Sequence, residues 1–336
     1  MMQIIQNERQ KAKMVLLNAN LIWGITPIFL EVVLQYIDPL QATTLRFGIA
    51  VIMLTFVLYL TKGKDAFSFL SVKSVILLGW LDAFGYLAAT VGQDMTTAGL
   101  ATLLSSIYVF IVPFVAWKLE GTSISKRIIL VGFFSMLGIF LISYDGNWMN
   151  LADSSINGVL ILIFSAIMWG FYTVITSKFL GASKTKGEEV DLLSFTYASL
   201  FHTFLALSVF SIINAEPIMI IPLEIIPYVL YLGLFPTIFA LSMWNWAITR
   251  LGSVSTSFFQ LLQIIIPFVL EFVFFQQLYS GWIYSGIVLI LFSSAWMNEE
   301  DTDTYTIQEE SLTRLDSLPL DTISRNNLNI NSNQCC

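Results

Sequence analysis

Uncharged apolar stretches of about 20 residues recur along most of this chain, and that is the length a helix needs to cross a bilayer. We place them at 14–35, 39–60, 72–93, 97–118, 127–144, 156–178, 191–213, 224–249, 253–275 and 279–297. Charged residues are only 12% of the whole and hydrophobic residues 56%, whereas a soluble domain carries roughly 25% charged residues. The first run, from Met14, is too long for a signal peptide and has no small-residue cleavage site, so it reads as the first span. Short connections hold turn formers at Asp38-Pro39, Lys62-Gly63, Asp145-Gly146-Asn147, Gly181 to Gly187, Glu216-Pro217 and Leu251-Gly252, which makes successive helices antiparallel neighbours.

Lysine and arginine set the direction. They occur at Arg9, Lys11 and Lys13, then in every second loop: Lys62, Lys64 and Lys73; Lys118, Lys126 and Arg127; Lys178, Lys184 and Lys186; Arg250. Arg314 and Arg325 follow in the tail, and only Arg46 falls inside a span. The basic side is the cytoplasmic one, which puts both termini in the cytoplasm. One missed or invented span would scramble the alternation. The net charge of −7 resides almost wholly in the segment 298–336, where Glu299, Glu300, Asp301, Asp303, Glu309, Glu310, Asp316 and Asp321 outweigh the two arginines. Such a tail is expected to be disordered. With no basic face, nucleic acid is not an expected partner. The two cysteines, Cys335 and Cys336, build neither a disulfide framework nor a metal cluster; a lipidated Cys-Cys end is the rarer reading and an unmodified chain end the commoner one.

The chain repeats itself. Trp23-Gly24 has a counterpart in Trp169-Gly170. Leu78-Gly79 matches Leu232-Gly233, Pro113-Phe114-Val115 matches Pro267-Phe268-Val269, and Gly132 matches Gly286, these three at one offset of 154 residues. Each half has five spans, and five is odd, so the second half enters the membrane from the opposite side. The expected fold is an all-α membrane protein of ten transmembrane helices in two inverted five-helix repeats, 14–145 and 156–297, with a cytoplasmic segment 1–13 and the acidic tail 298–336.

The stretches LIWGITPIFLEVVLQYIDPLQATTLRFGIA, TTAGLATLLSSIYVFIVPFVAWKLEGTSIS and YLGLFPTIFALSMWNWAITRLGSVSTS resemble the opening helices, the fourth helix with its following loop, and the eighth helix of the EamA group in the drug/metabolite transporter superfamily. The resemblance covers roughly residues 14 to 297. It implies a ten-helix secondary transporter without ATP, metal or cofactor. Its cavity would be lined by helices one, three and four and by their counterparts six, eight and nine, with five and ten as a frame and seven at the periphery. Arg46 matches the family's second-helix arginine, carried over as a structural or gating residue. Relatives often keep a Glu after the ninth helix; here Gln276-Gln277-Leu278-Tyr279 stands there, while Glu120-Gly121 occupies the corresponding place in the first half.

Ionisable groups inside a span cost at least about 2.5–3.5 kcal/mol each on insertion scales, which makes them functional candidates. Asp82 lies roughly 15 Å from the cytoplasmic end of span three, near the midplane. It is expected to carry a proton or cation or to bind a substrate amine; the competing reading is a protonated, hydrogen-bonded carboxyl. Arg46 and Glu31 sit at similar depths on adjacent spans, and an ion pair between them is expected, as a gate or as a structural clasp. Glu271, toward the outer end of span nine, either guards the outer mouth or reaches the headgroups. His202, the one histidine, reads mainly as a hydrogen-bonded packing residue. Trp23, Tyr86, Tyr108, Trp169, Tyr172 and Trp244 are aromatics away from the interfaces that tryptophan and tyrosine prefer. They wall a pocket able to attract a cation, or else pack a bundle. Asn245, Gln260 and Gln263 need partners in lipid. Pro113 and Pro267 at matched points suggest paired hinges, with Pro27 and Pro236 adding bends.

Three functions compete. The first is alternating-access transport of a small organic metabolite or drug across the plasma membrane, with protons as the candidate coupling ion and Asp82 the residue that carries it. An enzyme would show a zinc pattern, a Ser/His pairing, paired acids or a GxxxxGK[ST] loop, and the sequence has none of these, so no enzymatic activity or metal site is expected. The third is a sensor or scaffold whose acidic tail recruits a partner. A homodimer is compatible with any of them.

Overall fold

The computed structural model describes residues 2–96, 101, 104–149, 155–185, 190–214, 221–276 and 278–297, the side chains of 2–5, 183–185, 271, 274 and 275 apart. Residues Met1–Ser294 form one compact unit. The tail 298–336 with Cys335 and Cys336, the start of span four at 97–100, Lys186, Glu216-Pro217, Gln277 and the side chains of Lys184 and Glu271 lie outside the described residues.

Every element among the described residues is helical, and eight helical stretches are long and apolar enough to cross a membrane, with Gly281–Met297 a shorter apolar helix. In chain order they are α1 (Met2–Leu34), α2 (Pro39–Lys62), a 3-10 segment (Gly63–Ser71), α3 (Lys73–Asp94), α4 (Tyr108–Glu120), α5 (Lys126–Tyr144), α6 (Ile156–Thr185) and α7 (Leu192–Ile213). Then come α8 (Ile226–Leu234), a π-helical segment (Phe235–Ala240), α9 (Leu241–Leu251), α10 (Ser253–Gln260), α11 (Leu262–Phe275) and α12 (Gly281–Met297).

Local chemistry explains the boundaries. Asp38 caps α2 by accepting from the N–H groups of Leu40 (2.9 Å) and Gln41 (3.0 Å), and Pro39 fits the first turn, where no N–H is needed. Ser125 caps α5 through the Ile128 N–H. Asp145, at φ 44°, ends α5 in the left-handed conformation that a short polar residue tolerates. The linker after α2 is more than a turn. Its Ala66 is buried, Phe67 packs edge-on to Tyr197, and Phe69 packs edge-on to Phe195.

Three spans are discontinuous. Ile107 donates to the Leu104 carbonyl (3.2 Å) just before α4, and Leu261 donates to the Phe258 carbonyl (3.2 Å) between α10 and α11. Both are tightened i→i−3 turns. The breaks stand 154 residues apart, the spacing of Pro113 and Pro267, which follow each break by six residues. A proline leaves the carbonyl four residues back without its helical donor. For Pro267 that carbonyl belongs to Gln263, and Gly24 of α1 lies over it: a Cβ on Gly24 would come 2.9 Å from the oxygen. The third irregularity is the π segment, which begins one residue before Pro236.

Helices from the two ends of the chain interleave. α3 packs on α6 and α7, α4 on α6, α2 on α7, and α1 on α8, the π segment, α9 and α11. Helix ends meet in two groups. At one, Lys62 pairs with Asp191 (2.5 Å), Lys178 donates to the Leu119 carbonyl (2.6 Å), Arg250 pairs with Glu8 (3.3 Å), and Ser253 donates to Glu120 (2.8 Å). At the other, Ser280 bonds Asp145, Trp282 lies edge-on to Tyr144, and the Ser155 N–H meets the Met95 carbonyl (3.4 Å).

Candidate functional site

Two ionisable side chains of opposite type are buried in the interior: Arg46 on α2 is 5% exposed and Asp82 on α3 is 1% exposed. Arg46 Nε donates to Thr237 Oγ1 at 2.6 Å, and Thr237 in turn donates to the Leu232 carbonyl at 2.7 Å. That i→i−5 reach belongs to the π segment, where the ordinary ladder is interrupted. The guanidinium lies over the Tyr86 ring, 4.7 Å from its centroid. Arg46 Nη2 is buried with no hydrogen-bond partner. Asp82 and Arg46 act on each other through their charges. They are not joined in a salt bridge, and Asp82 is held instead by Thr203 of α7, whose hydroxyl is 3.3 Å from Oδ2 and 3.0 Å from the Ser199 carbonyl. One hydroxyl proton is shared between two acceptors there.

Aromatic rings continue from this pair. Tyr86 meets Trp169 edge-on at 5.3 Å, and Trp169 fits because residue 85 is glycine: a Cβ there would come 2.7 Å from the indole. Tyr172, one turn along α6, stacks on Trp244 of α9 at 5.8 Å. Trp244 Nε1 donates to Gln260 Oε1 (3.2 Å), which ties α9 to the end of α10. Asn245 donates to Thr196 (2.8 Å). Asn245 Oδ1 is buried without a hydrogen-bond partner, and the buried hydroxyls of Tyr172, Thr176 and Ser199 face one another. Buried polar groups are nearly always bonded, so the unanswered Asn245 Oδ1 marks a place where another partner belongs.

The remaining expected residues divide. Trp23 Nε1 donates to the Pro236 carbonyl (3.0 Å), so a second first-half residue clasps the π segment. Tyr108 is buried and donates to the Ser257 carbonyl (3.3 Å), across from α4 to α10. Gln263 is half-buried, as is Pro267, whereas Pro113 is buried. Glu31 sits on the exposed side of α1, and Arg46 turns inward to Thr237 instead, so the expected Glu31–Arg46 pair does not form. The reason is tertiary: a buried guanidinium gains more from an internal hydroxyl and an aromatic face than from a carboxylate left at the surface. His202 is a packing residue, its Nε2 2.8 Å from the Leu70 carbonyl at the end of the 3-10 segment.

Sequence reasoning missed Thr237, Thr203, Ser199, Thr176 and Asn20, whose amide donates to the Phe259 carbonyl at the α10–α11 break (3.1 Å). A signal existed for α7. Thr196, Ser199 and Thr203 recur at three- and four-residue spacing, which places three hydroxyls on one helix face. Their burial turns this polar face of α7 into the interior.

A family model described as the EamA-like transporter family matches residues 10–144 and again 156–298. The chain is 23% identical over 262 residues to the uncharacterized transporter YyaM of Bacillus subtilis (strain 168), covering 76% of this chain and 84% of that one. It is 24% identical over 282 residues to the uncharacterized transporter YoaV of the same organism, covering 81% and 88%. An uncharacterized transporter of Archaeoglobus fulgidus is 26% identical over 253 residues, covering 74% and 83%. A solved crystal structure shares the fold with a TM-score of 0.69 at 15% identity, over 88% of this chain and 99% of its own.

Proposed function

The chain belongs to the EamA-like transporter family and is a multi-pass membrane protein, and from that premise we propose that it moves a small organic metabolite or drug across the plasma membrane by alternating access. The protein works as two inverted five-helix halves, 14–145 and 156–297, with both termini and the tail 298–336 in the cytoplasm. It acts as a transporter and not as an enzyme.

The observation that carries this reading is the buried Arg46–Asp82 pair, held at the contact between α2 and α3 of one half and α7 and the π segment of the other. A charge in the membrane interior marks a substrate or ion pathway. Discontinuous helices at the contact of two repeats are the places where secondary transporters bind. The breaks before α4 and between α10 and α11, and the π segment, support the same conclusion. The substrate lies against Tyr86, Trp169, Tyr172 and Trp244, with Asn245, Gln260 and Gln263 supplying amides. Pro113 and Pro267 act as hinges. Asp82 carries the proton whose movement drives the solute.

The test is counterflow in vesicles containing the purified protein, using ligands first found by a thermal-unfolding screen of metabolites. A ligand that binds the folded state stabilises it by about 2.7 kcal/mol at 100 times its dissociation constant. Exchange of that ligand across the vesicle membrane supports transport. Binding without exchange would sink it and favour a sensor.

A further inference from the structure

We infer that the solute carried at the proposed site is a monoanion whose carboxylate takes Arg46 as its counter-ion, while Asp82 gives up that role by taking a proton. This rests on the transport reading and adds the substrate's charge and the stoichiometry of coupling.

The argument begins with what Arg46 lacks. A guanidinium has five N–H donors and cannot be deprotonated. Here Nε is used by Thr237, Tyr86 offers both its ring and its hydroxyl to the guanidinium, and Nη2 is buried with no partner of its own. An unpaired donor on a buried cation is costly, and a forked guanidinium is built to take a carboxylate by two parallel bonds. In its own span only the Phe47 ring approaches, 5.7 Å from the guanidinium, and a ring face does not take a forked donor. Asp82 is near enough to compensate the charge, yet it is tied to Thr203 on α7 and does not close a salt bridge. With Asp82 ionised the pair is neutral as a whole but unclosed, which leaves room for a competing anion.

The neighbours narrow the source of that anion. The groups facing the pair are Tyr86 on α3, Tyr172 on α6, Tyr231 on α8 and Thr237 on the π segment. Tyr231 donates to the Ile22 carbonyl on α1. On α7, His202 Nε2 is engaged by the Leu70 carbonyl. Glu31 of α1 lies at the surface. Asp82 is therefore the one buried acid among the described residues. If a solute carboxylate binds Arg46 while Asp82 stays ionised, the interior holds two anions to one cation. A low-dielectric interior opposes that strongly. Protonating Asp82 restores neutrality, so one proton enters with one carboxylate. Phe47, Tyr86 and Trp169, stacked edge-on in series, favour a solute with a flat ring behind the carboxylate.

The full chain, purified in detergent, is titrated with phenylacetate, phenylacetamide and 2-phenylethylamine at several pH values, with thermal stabilisation as the readout. The acid is expected to bind, and the amide and the amine to bind at least tenfold more weakly. Because one proton accompanies binding, the acid's affinity falls about tenfold per pH unit on the alkaline side of the Asp82 titration. D82N, permanently neutral, keeps the acid's affinity and loses its pH dependence. R46Q loses the acid. R46K retains the charge and so serves if R46Q fails to fold; without the fork it binds the acid about tenfold more weakly. Amine or amide binding as tight as the acid's overturns the inference and leaves transport standing, as does acid binding that is flat with pH in the unmodified protein. Silence from all three probes overturns it as well. The transport reading is judged separately, by counterflow of whichever metabolite the wider screen identifies.

Discussion

Arg46 is fixed by an element 191 residues away in sequence, through a hydroxyl that also serves its own helix. That arrangement explains what a sequence reader can and cannot see at this scale. Asp82 and Arg46 stand out because a charge inside an apolar run is rare. Their partners do not stand out, since Thr237 and Thr203 are ordinary residues of apolar spans and only folding brings them near. Substituting Asp82 by Asn should remove pH-gradient-driven uptake of the identified ligand while leaving exchange intact; preserved gradient-driven uptake would exclude Asp82 as the proton carrier. Gly85 provides a stability test. An alanine there puts a Cβ 2.7 Å from the Trp169 ring, so G85A should cost about 1–3 kcal/mol by overpacking, read as a lower unfolding temperature. Combining it with W169F should recover part of the loss, because the smaller ring can give way. Asp191, at the start of α7, is the clearest titrating group outside the membrane. Burial raises its pKa, but hydrogen bonds from Lys62 and Ser194 and the Lys62 charge outweigh burial and hold it below its ordinary value of 3.8. A depressed carboxylate contributes stability above its unfolded pKa and loses it as pH falls through the folded one. The pair is partly exposed, so its effect is small and salt-sensitive. D191N should therefore lower stability slightly at and above neutral pH and flatten the acid limb of the stability–pH curve, the two proteins converging as pH falls.

Helices were legible where apolar length and caps agree. Span two was read as 39–60, and α2 runs Pro39–Lys62, because the Asp38 cap and the first-turn proline are local signals. Interruptions were half legible. Prolines at 113, 236 and 267 announced bends, but their form depended on neighbours: a tightened turn where Gly24 crosses the freed Gln263 carbonyl, and a π segment where Trp23 and Thr237 claim the carbonyls of Pro236 and Leu232. The 3-10 segment after α2 was read as a turn, since its seat against α7 is a tertiary fact. The π segment yields a test at this scale. T237V keeps shape but removes both the acceptor for Arg46 and the donor for Leu232. It should destabilise the protein by about 1–3 kcal/mol through the orphaned buried cation and carbonyl. It should also weaken ligand binding. Unchanged binding in a folded T237V protein would mean that Arg46 does not depend on the π segment for its position.

At the scale of the molecule, the alternation of basic loops sorted helix ends into two sets, and the same sets gather in the structure. Lys62 with Asp191, Arg250 with Glu8 and Glu120 with Ser253 all join ends assigned to the basic side. The Glu120–Ser253 bond is the most informative of these, because it ties the end of α4 to the start of α10, in two of the three discontinuous spans. If the halves rock to expose the site by turns, that contact must open for release to the basic side and close for the opposite state. A thiol pair at E120C and S253C, in a chain with Cys335 and Cys336 replaced by serine, can be bridged by a short bifunctional thiol reagent. Bridging should abolish counterflow while leaving ligand binding from the opposite side within a few-fold of its original strength. A cleavable reagent should restore flux on reduction. Flux that survives complete bridging would show that α4 and α10 do not separate during turnover, and the moving boundary would then have to lie elsewhere, with the π segment and its two first-half clasps, Trp23 and Arg46, the next place to bridge.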